Sequence, residues 1–529
     1  MESRLALALA LSLGILVGFQ VLFPPQKPES APPGAAAPTS VASPAPADPF
    51  QVGTVPAAES AVSDPGFILE VRAPLYKARF ASRGGRLAGF ELTGYRKDPH
   101  SGSGPYDLVH ANGALPLALL WRSEAGAIVD DRSVLYEITS TAGEVQPGQS
   151  AVVTMKGRTS AGATITKTLV LPGDSYLLDF KVTTEGFPAT PLAVGWSRQL
   201  HTATGRSDVE GAVGYFDNTL ESFVASTMEE TEVVEGKAAW AGYAEHYFLA
   251  AFVPRDESPL KLVASAAEGA GHAALWTAVP ATGLDYGLYV GPKSFEELEK
   301  ADASLVHAID LGWFWFVAKP LFLALRMIEA AVGNYGWAII LLTVAVRVAF
   351  YPVNQKQMEA MKGMQRIQPE VKKLQERFAN DREKMNAEMM ELYRRHKVNP
   401  RAGCLPMLIQ LPVFIGLYNV LLQSIELRHA PFFGWMNDLS QPDRLGSLAI
   451  PFVEPAGIPV MTLLMGASMI LQQKMTPSTA DPAQQRIMMI MPVVFTVMFV
   501  NFPAGLVLYW LSNNVLSIGQ QWLSNRQGK

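Results

Sequence analysis

Hydrophobic positions change period along this chain, and each period predicts a different kind of element. Leu5 to Phe23 is a nearly unbroken apolar run, long enough to span a bilayer with little tilt. A cleaved signal peptide competes with an uncleaved anchor over 1–23. The run exceeds a usual signal core, and Phe23-Pro24-Pro25 follows it rather than a small-residue cleavage site, which favours the anchor. Residues 24–66 hold eleven prolines among much Ala and Ser, the composition of an extended linker. From 67 to 304 the period becomes two. Tyr176, Leu178, Phe180 and Val182 share one strand face, and Thr164 to Leu171 precedes them with Pro172-Gly173-Asp174 as the turn. Many such runs predict a large antiparallel β-sandwich domain.

Helical periods take over from 305. Within 305–334, Trp313 to Glu329 presents Phe316, Val317, Leu321, Ala324, Leu325 and Ile328 beside Lys319, Arg326 and Glu329. That pattern predicts an amphipathic helix lying in the membrane interface, since Lys319-Pro320 and Gly333-Asn334 disfavour a spanning one. Residues 335–352 form an apolar stretch, YGWAIILLTVAVRVAFYP, that carries Arg347 one helical turn after Thr343. Residues 353–404 are polar and helical, with Met358, Met361, Met364, Ile367, Val371 and Leu374 at three- and four-residue steps. The period breaks at Asn380-Asp381 and resumes at Met385, predicting an antiparallel helical hairpin in which Pro369 marks a bend or restart. Four further apolar segments fill 405–525 (Leu405–Ser424, Ile458–Met475, Ile487–Phe502 and Leu506–Trp522), and 526–529 is a short tail. The fold class expected is a polytopic α-helical membrane protein with six transmembrane helices and a large β-domain.

Composition agrees with that division. The chain has 529 residues and a mean hydropathy of +0.14, too long for one domain and apolar for a soluble protein. Cys404 is the only cysteine, which excludes an intramolecular disulfide and a thiolate zinc cluster. The net charge of −5 gives no attraction for nucleic acid and hides an uneven distribution. Asn354 to Gly403 carries twelve basic residues against seven acidic, whereas Ile425 to Gly457 has four acidic against two basic. The positive-inside rule therefore places the hairpin and both termini in the cytoplasm and the β-domain outside.

Candidate chemistry lies in the apolar half. An arginine near a helix centre costs about 2.5–3.5 kcal/mol on insertion scales and tends to face a bundle interior or wet cavity. Arg347 also lies close enough to Pro352 to snorkel to the headgroups, about 7.5 Å of helix rise. Polar residues recur on other helices: Gln410, Asn419 and Gln423; Ser468, Gln472 and Gln473; and Asn513, Asn514, Ser517 and Gln521 beside Trp510. Singly these read as interhelical glue. Together with Thr343 and Arg347 they predict a shared hydrophilic groove. The spans at 335–351 and 487–502, about 26 Å and 24 Å of helix, predict local bilayer thinning. The five C-terminal spans contain no Asp or Glu, which leaves a proton relay without a carrier, and the chain holds no HExxH, G-x-S-x-G or P-loop motif. A polar, positively charged groove in a thinned bilayer suits a non-enzymatic task, lowering the desolvation barrier for a polar polypeptide segment crossing the membrane.

The blocks YGWAIILLTVAVRVAFYP, QPEVKKLQERF, NPRAGCLPMLIQLPVFIGLY, LRHAPF, QQKMTP, DPAQQRIMMIMP and FPAGLVLYW, in that order over about Leu305 to Asn525, resemble the YidC family of membrane-protein insertases in its six-span Gram-negative form. The resemblance implies a five-helix conserved insertase core with a groove open to cytoplasm and lipid, Arg347, Thr343 and Gln410 matching its groove residues. It also implies a periplasmic β-supersandwich like that of sugar mutarotases, and a hairpin that receives substrate. The expected partners are nascent membrane proteins, the Sec translocon and the inner-membrane bilayer, without cofactor or metal. The family's substrate-contacting tyrosine on the last helix falls at Trp510, with Tyr509 beside it. The tail offers only Arg526 and Lys529 as cations, a weak base for ribosome binding. A solute channel would need a continuous pore or inverted repeat, and an envelope-binding protein would place the activity in the β-domain; these are the rival classes.

Overall fold

The computed structural model describes residues 66–527 apart from 100–101, 110–115, 124–126, 188–189, 200–209, 268–269, 379–380, 397–404, 452 and 476–481. The expected anchor at 1–23 and all of the linker at 24–66 except Gly66 lie outside the described residues. Among those described, nineteen strands form three antiparallel sheets. The largest runs, in spatial order, Thr219–Val224, Gly211–Phe216, Ala238–Ala244, Phe248–Pro254, Gly283–Pro292, Leu177–Glu185, Thr164–Pro172, Ser150–Arg158 and Tyr136–Ser140. A six-stranded sheet packs on it, through Leu260–Ala267 and Ala270–Thr277 against Gly211–Phe216 and Ala238–Ala244. A four-stranded sheet spans Ile68 to Asp107.

Alternation explains the pairing. Phe180 lies opposite Leu169, and Leu178, Phe180 and Val182 are all buried, as a period of two requires with one face on the core. The turn between those strands needs its glycine, because a Cβ at Gly173 would lie 2.3 Å from the Gln146 carbonyl oxygen. Phe248–Pro254 and Ala270–Thr277 are buried along nearly their whole length, and their sequences are correspondingly apolar on both faces.

A short helix α1 (Phe295–Ala301) leads to α2 (Trp315–Val332), which starts and ends slightly later than its sequence pattern suggests. Ala318, Phe322 and Leu325 bury one stripe of α2 against the helices that follow, while Trp315, Phe316, Leu323 and Met327 are exposed on the other side. The helix passes through Pro320 and stops at Gly333, whose φ of 69° is left-handed. Helix α3 (Tyr335–Ala349) is capped by Asn334, whose side chain accepts from the Trp337 amide at 3.2 Å. It ends earlier than 352, because Pro352 occupies the first turn of α4 (Tyr351–Arg377), where its missing N–H is tolerated. Helix α4 runs through Pro369 without a restart and pairs with α5 (Arg382–Arg395) over a small core of Ile367, Val371 and Leu392.

The remaining helices are α6 (Leu405–Gln423), α7 (Val460–Met475), α8 (Pro482–Met498) and α9 (Ala504–Gln527). Helix α9 is central, packing against α3, α6 and α7, and α8 packs on α7. Among the described residues no helix is long and apolar enough to cross a membrane. Helices α3, α7 and α8 measure about 22, 24 and 26 Å by their rise. Helix α8 exposes Ile490, Val493, Val494 and Val497 as one apolar face.

Candidate functional site

Arg347 projects from the last turn of α3 towards α9, which supplies its acceptors among the described residues. Its Nε donates to Asn513 Oδ1 at 3.0 Å, and its terminal nitrogens donate to the Asn513 carbonyl at 3.0 Å, Gln520 Oε1 at 3.4 Å and the Ser517 hydroxyl. Asn513, Ser517 and Gln520 lie four and seven residues from the first, on one face of α9. Every acceptor is neutral, and among the described residues no carboxylate pairs with the guanidinium. The charge is therefore hydrogen-bonded but uncompensated, and half-buried.

Beside it is a water-sized cavity of about 10 Å3 lined by Thr343, Val346, Arg347, Phe350, Asn354, Gln410, Tyr509 and Asn513. Thr343 is buried and donates its hydroxyl to the Ile339 carbonyl at 2.7 Å. Tyr509 is buried and stacks on Phe414 of α6. The structure thus brings together Arg347, Thr343, Gln410, Tyr509, Asn513 and Ser517 from three helices. Trp510 does not line this cavity; its indole packs among Phe414, Phe495 and Phe499. Gln472 sits half-buried on α7, also outside the cavity lining.

Two participants escaped sequence reasoning. Gln520 repeats the Asn513 position two turns on, and Asn354 repeats the Arg347 position two turns on, across the break at Phe350. The seven-residue spacing was a usable signal in both cases, but Asn354 sits where the hairpin pattern begins. The polar face of α9 is also divided. Asn514 Nδ2 donates to the Ser468 hydroxyl at 3.0 Å and Gln521 Nε2 to the Met475 carbonyl at 3.3 Å, so these two tie α9 to α7. Among the described residues no cluster of His, Cys, Asp and Glu is arranged to hold a metal.

Two family models together match nearly all of the described chain. The YidC periplasmic domain matches 68–324 and the 60Kd inner membrane protein matches 327–529. The membrane protein insertase YidC of Pelobacter propionicus is 39% identical over 99% of both chains. That of Syntrophus aciditrophicus is 34% identical over the full length of each. This chain belongs to the YidC family of membrane protein insertases. A solved structure, an active YidC insertase with its first transmembrane domain resolved, aligns with 88% of this chain and 94% of its own, at 17% identity and a TM-score of 0.39. The two YidC models meet between 324 and 327, inside α2, so this helix belongs in sequence to both halves. Family membership places the chain at the inner membrane with a periplasmic β-domain.

Proposed function

We propose that this protein inserts membrane proteins into the inner membrane and assists their folding, alone or beside the Sec translocon, without covalent chemistry. In this reading the chain spans the bilayer six times, with both termini and the α4–α5 hairpin in the cytoplasm. The observation that carries it is the uncompensated Arg347 guanidinium, held only by neutral acceptors of α9 next to a polar cavity. A polar segment crossing hydrocarbon loses its hydration, and a fixed cation with amide and hydroxyl neighbours replaces part of it. An acidic side chain offers Arg347 an opposite charge and a bidentate ion pair that the neutral Asn513, Ser517 and Gln520 do not. A cavity of one water is too small for a peptide, so entry requires α3 and α9 to part, with Arg347 exchanging its acceptors for the substrate. The short α3, α7 and α8 thin the bilayer and shorten the crossing.

The test is protease protection of a single-span substrate with an acidic tail, in liposomes containing this protein alone. Wild type is expected to protect the tail, and Arg347→Ala to lose about tenfold in initial rate, the scale of one hydrogen bond to a charged group. Equal protection by both proteins would remove the groove charge from the mechanism.

A further inference from the structure

A second cavity, lined by apolar and charged side chains, lies away from the groove, where α1 meets α2. It encloses about 400 Å3 and is lined by Glu296, Glu299 and Lys300 of α1 and by Lys319, Leu323 and Arg326 of α2. Phe295 and Phe322, with ring centroids 4.6 Å apart, also line it. Two of its charges are already engaged: Arg326 pairs with Glu296 at 2.8 Å, and Lys300 donates to the Asp174 carbonyl at 3.0 Å. Lys319 and Glu299 are both exposed, and neither forms an ion pair among the described residues, with each other or with a third group. The cavity therefore offers one unused cation and one unused anion held apart.

Its surroundings say what kind of molecule brings the complement. Leu323, half-exposed at the cavity rim, belongs to the same outward side of α2 as Trp315, Phe316 and Met327, the last 74% exposed. An apolar helix side with aromatics at its start and charges beside it is the pattern of a helix seated at the acyl–headgroup boundary. We propose that this cavity binds the headgroup of a zwitterionic aminophospholipid of the outer leaflet, its phosphate on Lys319 and its primary ammonium on Glu299. The acyl chains then lie along Leu323 and Met327. A purely anionic headgroup leaves Glu299 unpaired, and a trimethylammonium headgroup has no N–H to donate to it. The assignment rests on α2 lying in the membrane interface.

Native mass spectrometry of the full-length protein, titrated with phosphatidylethanolamine, phosphatidylcholine and phosphatidylglycerol, tests it. Wild type is expected to retain phosphatidylethanolamine about tenfold better than the other two, one charge-assisted hydrogen bond. Glu299→Gln is expected to abolish that preference while leaving overall lipid retention, and Lys319→Gln to weaken all three lipids. Soluble glycerophosphoethanolamine should not compete. Equal retention of the three lipids by wild type, an unchanged preference in Glu299→Gln, or full competition by the soluble headgroup would each overturn the proposal. A fluorophore on Phe316→Cys in a Cys404→Ser background separates the two layers of the argument. If a headgroup-borne quencher fails to reach it, the interfacial seat of α2 falls and the lipid site with it. Quenching without lipid preference removes the headgroup assignment alone.

Discussion

Lys293 shows how much a single side chain can cost the fold around it. It follows the strand Gly283–Pro292, donates its backbone N–H to the Tyr247 carbonyl at 2.8 Å, and is only 4% exposed. Burial holds its ammonium pKa down at about 8, against the usual 10.5, with Asp310 pulling in the opposite direction. Between those two values the unfolded chain binds more protons than the folded one, so stability rises with pH. The penalty is full below pH 8 and disappears as pH approaches 10.5, and a shift of this size corresponds to about 3 kcal/mol. Lys293→Met is therefore expected to melt above wild type at pH 7, with the gap closing by pH 10.5. Parallel melting curves across that range would mean that the lysine is not the source. Burial lowers the pKa of Lys167 as well, but its partners differ. It is fully buried, yet it donates to the carbonyls of Gly84, Gly85 and Leu117 and meets Asp131 at 2.5 Å, so its ammonium is surrounded by acceptors.

At the scale of elements, α9 does two jobs with two stripes one residue apart. Asn513, Ser517 and Gln520 hold Arg347, while Asn514 and Gln521 hold α7. Removing Asn514 takes away one interhelical hydrogen bond, about 0.6 kcal/mol and at most about 2 in membrane bundles. Asn514→Ala is thus expected to lower the melting temperature in detergent by a few degrees and to leave insertion per folded molecule unchanged. A loss of insertion matching that of Arg347→Ala, with melting intact, would contradict this division. The sequence shows the polar residues of α9 but not the split, because periodicity fixes the angle of a side chain and not which neighbour stands at that angle. Trp510 is the same problem for an aromatic: its spacing gives its angle on α9 but not that Phe414, Phe495 and Phe499 stand around it. Strand elements such as Thr164–Pro172 and Leu177–Glu185 were legible because a turn and a period of two specify both face and partner. The third partner of Arg347 on α9, Gln520, was legible only as a repeat of Asn513, and Asn354 was hidden by the change of pattern at Pro352.

In the whole molecule the β-domain and the helices share one continuous apolar core, joined at the far end of α6 from the groove. Asn419 donates to the Leu311 carbonyl and His246 Nε2 meets the Leu422 carbonyl, both at 2.8 Å. Arg428, just past α6, reaches back into the β-domain. It donates to the Lys97 carbonyl at 3.1 Å, and its guanidinium carbon lies 5.1 Å from the Tyr106 ring and 5.5 Å from that of Phe248. Those two rings stack at 4.3 Å, and Tyr106 donates its hydroxyl to Glu245 at 2.6 Å. The cation therefore ties a helix-end loop to two strands at once, a contact worth about 0.5–2 kcal/mol for the ring interaction alone. From Gln410 to the end of α6 is about 20 Å of helix, so the joint and the groove share an element but no residues. Arg428→Ala is expected to speed amide exchange in Arg86–Arg96 and Phe248–Pro254 several-fold, while the rate of tail protection stays within about twofold of wild type. If insertion instead falls together with exchange protection, α6 transmits the seat of the β-domain to the groove, and the two halves act as one machine rather than as a core with an independent outer domain.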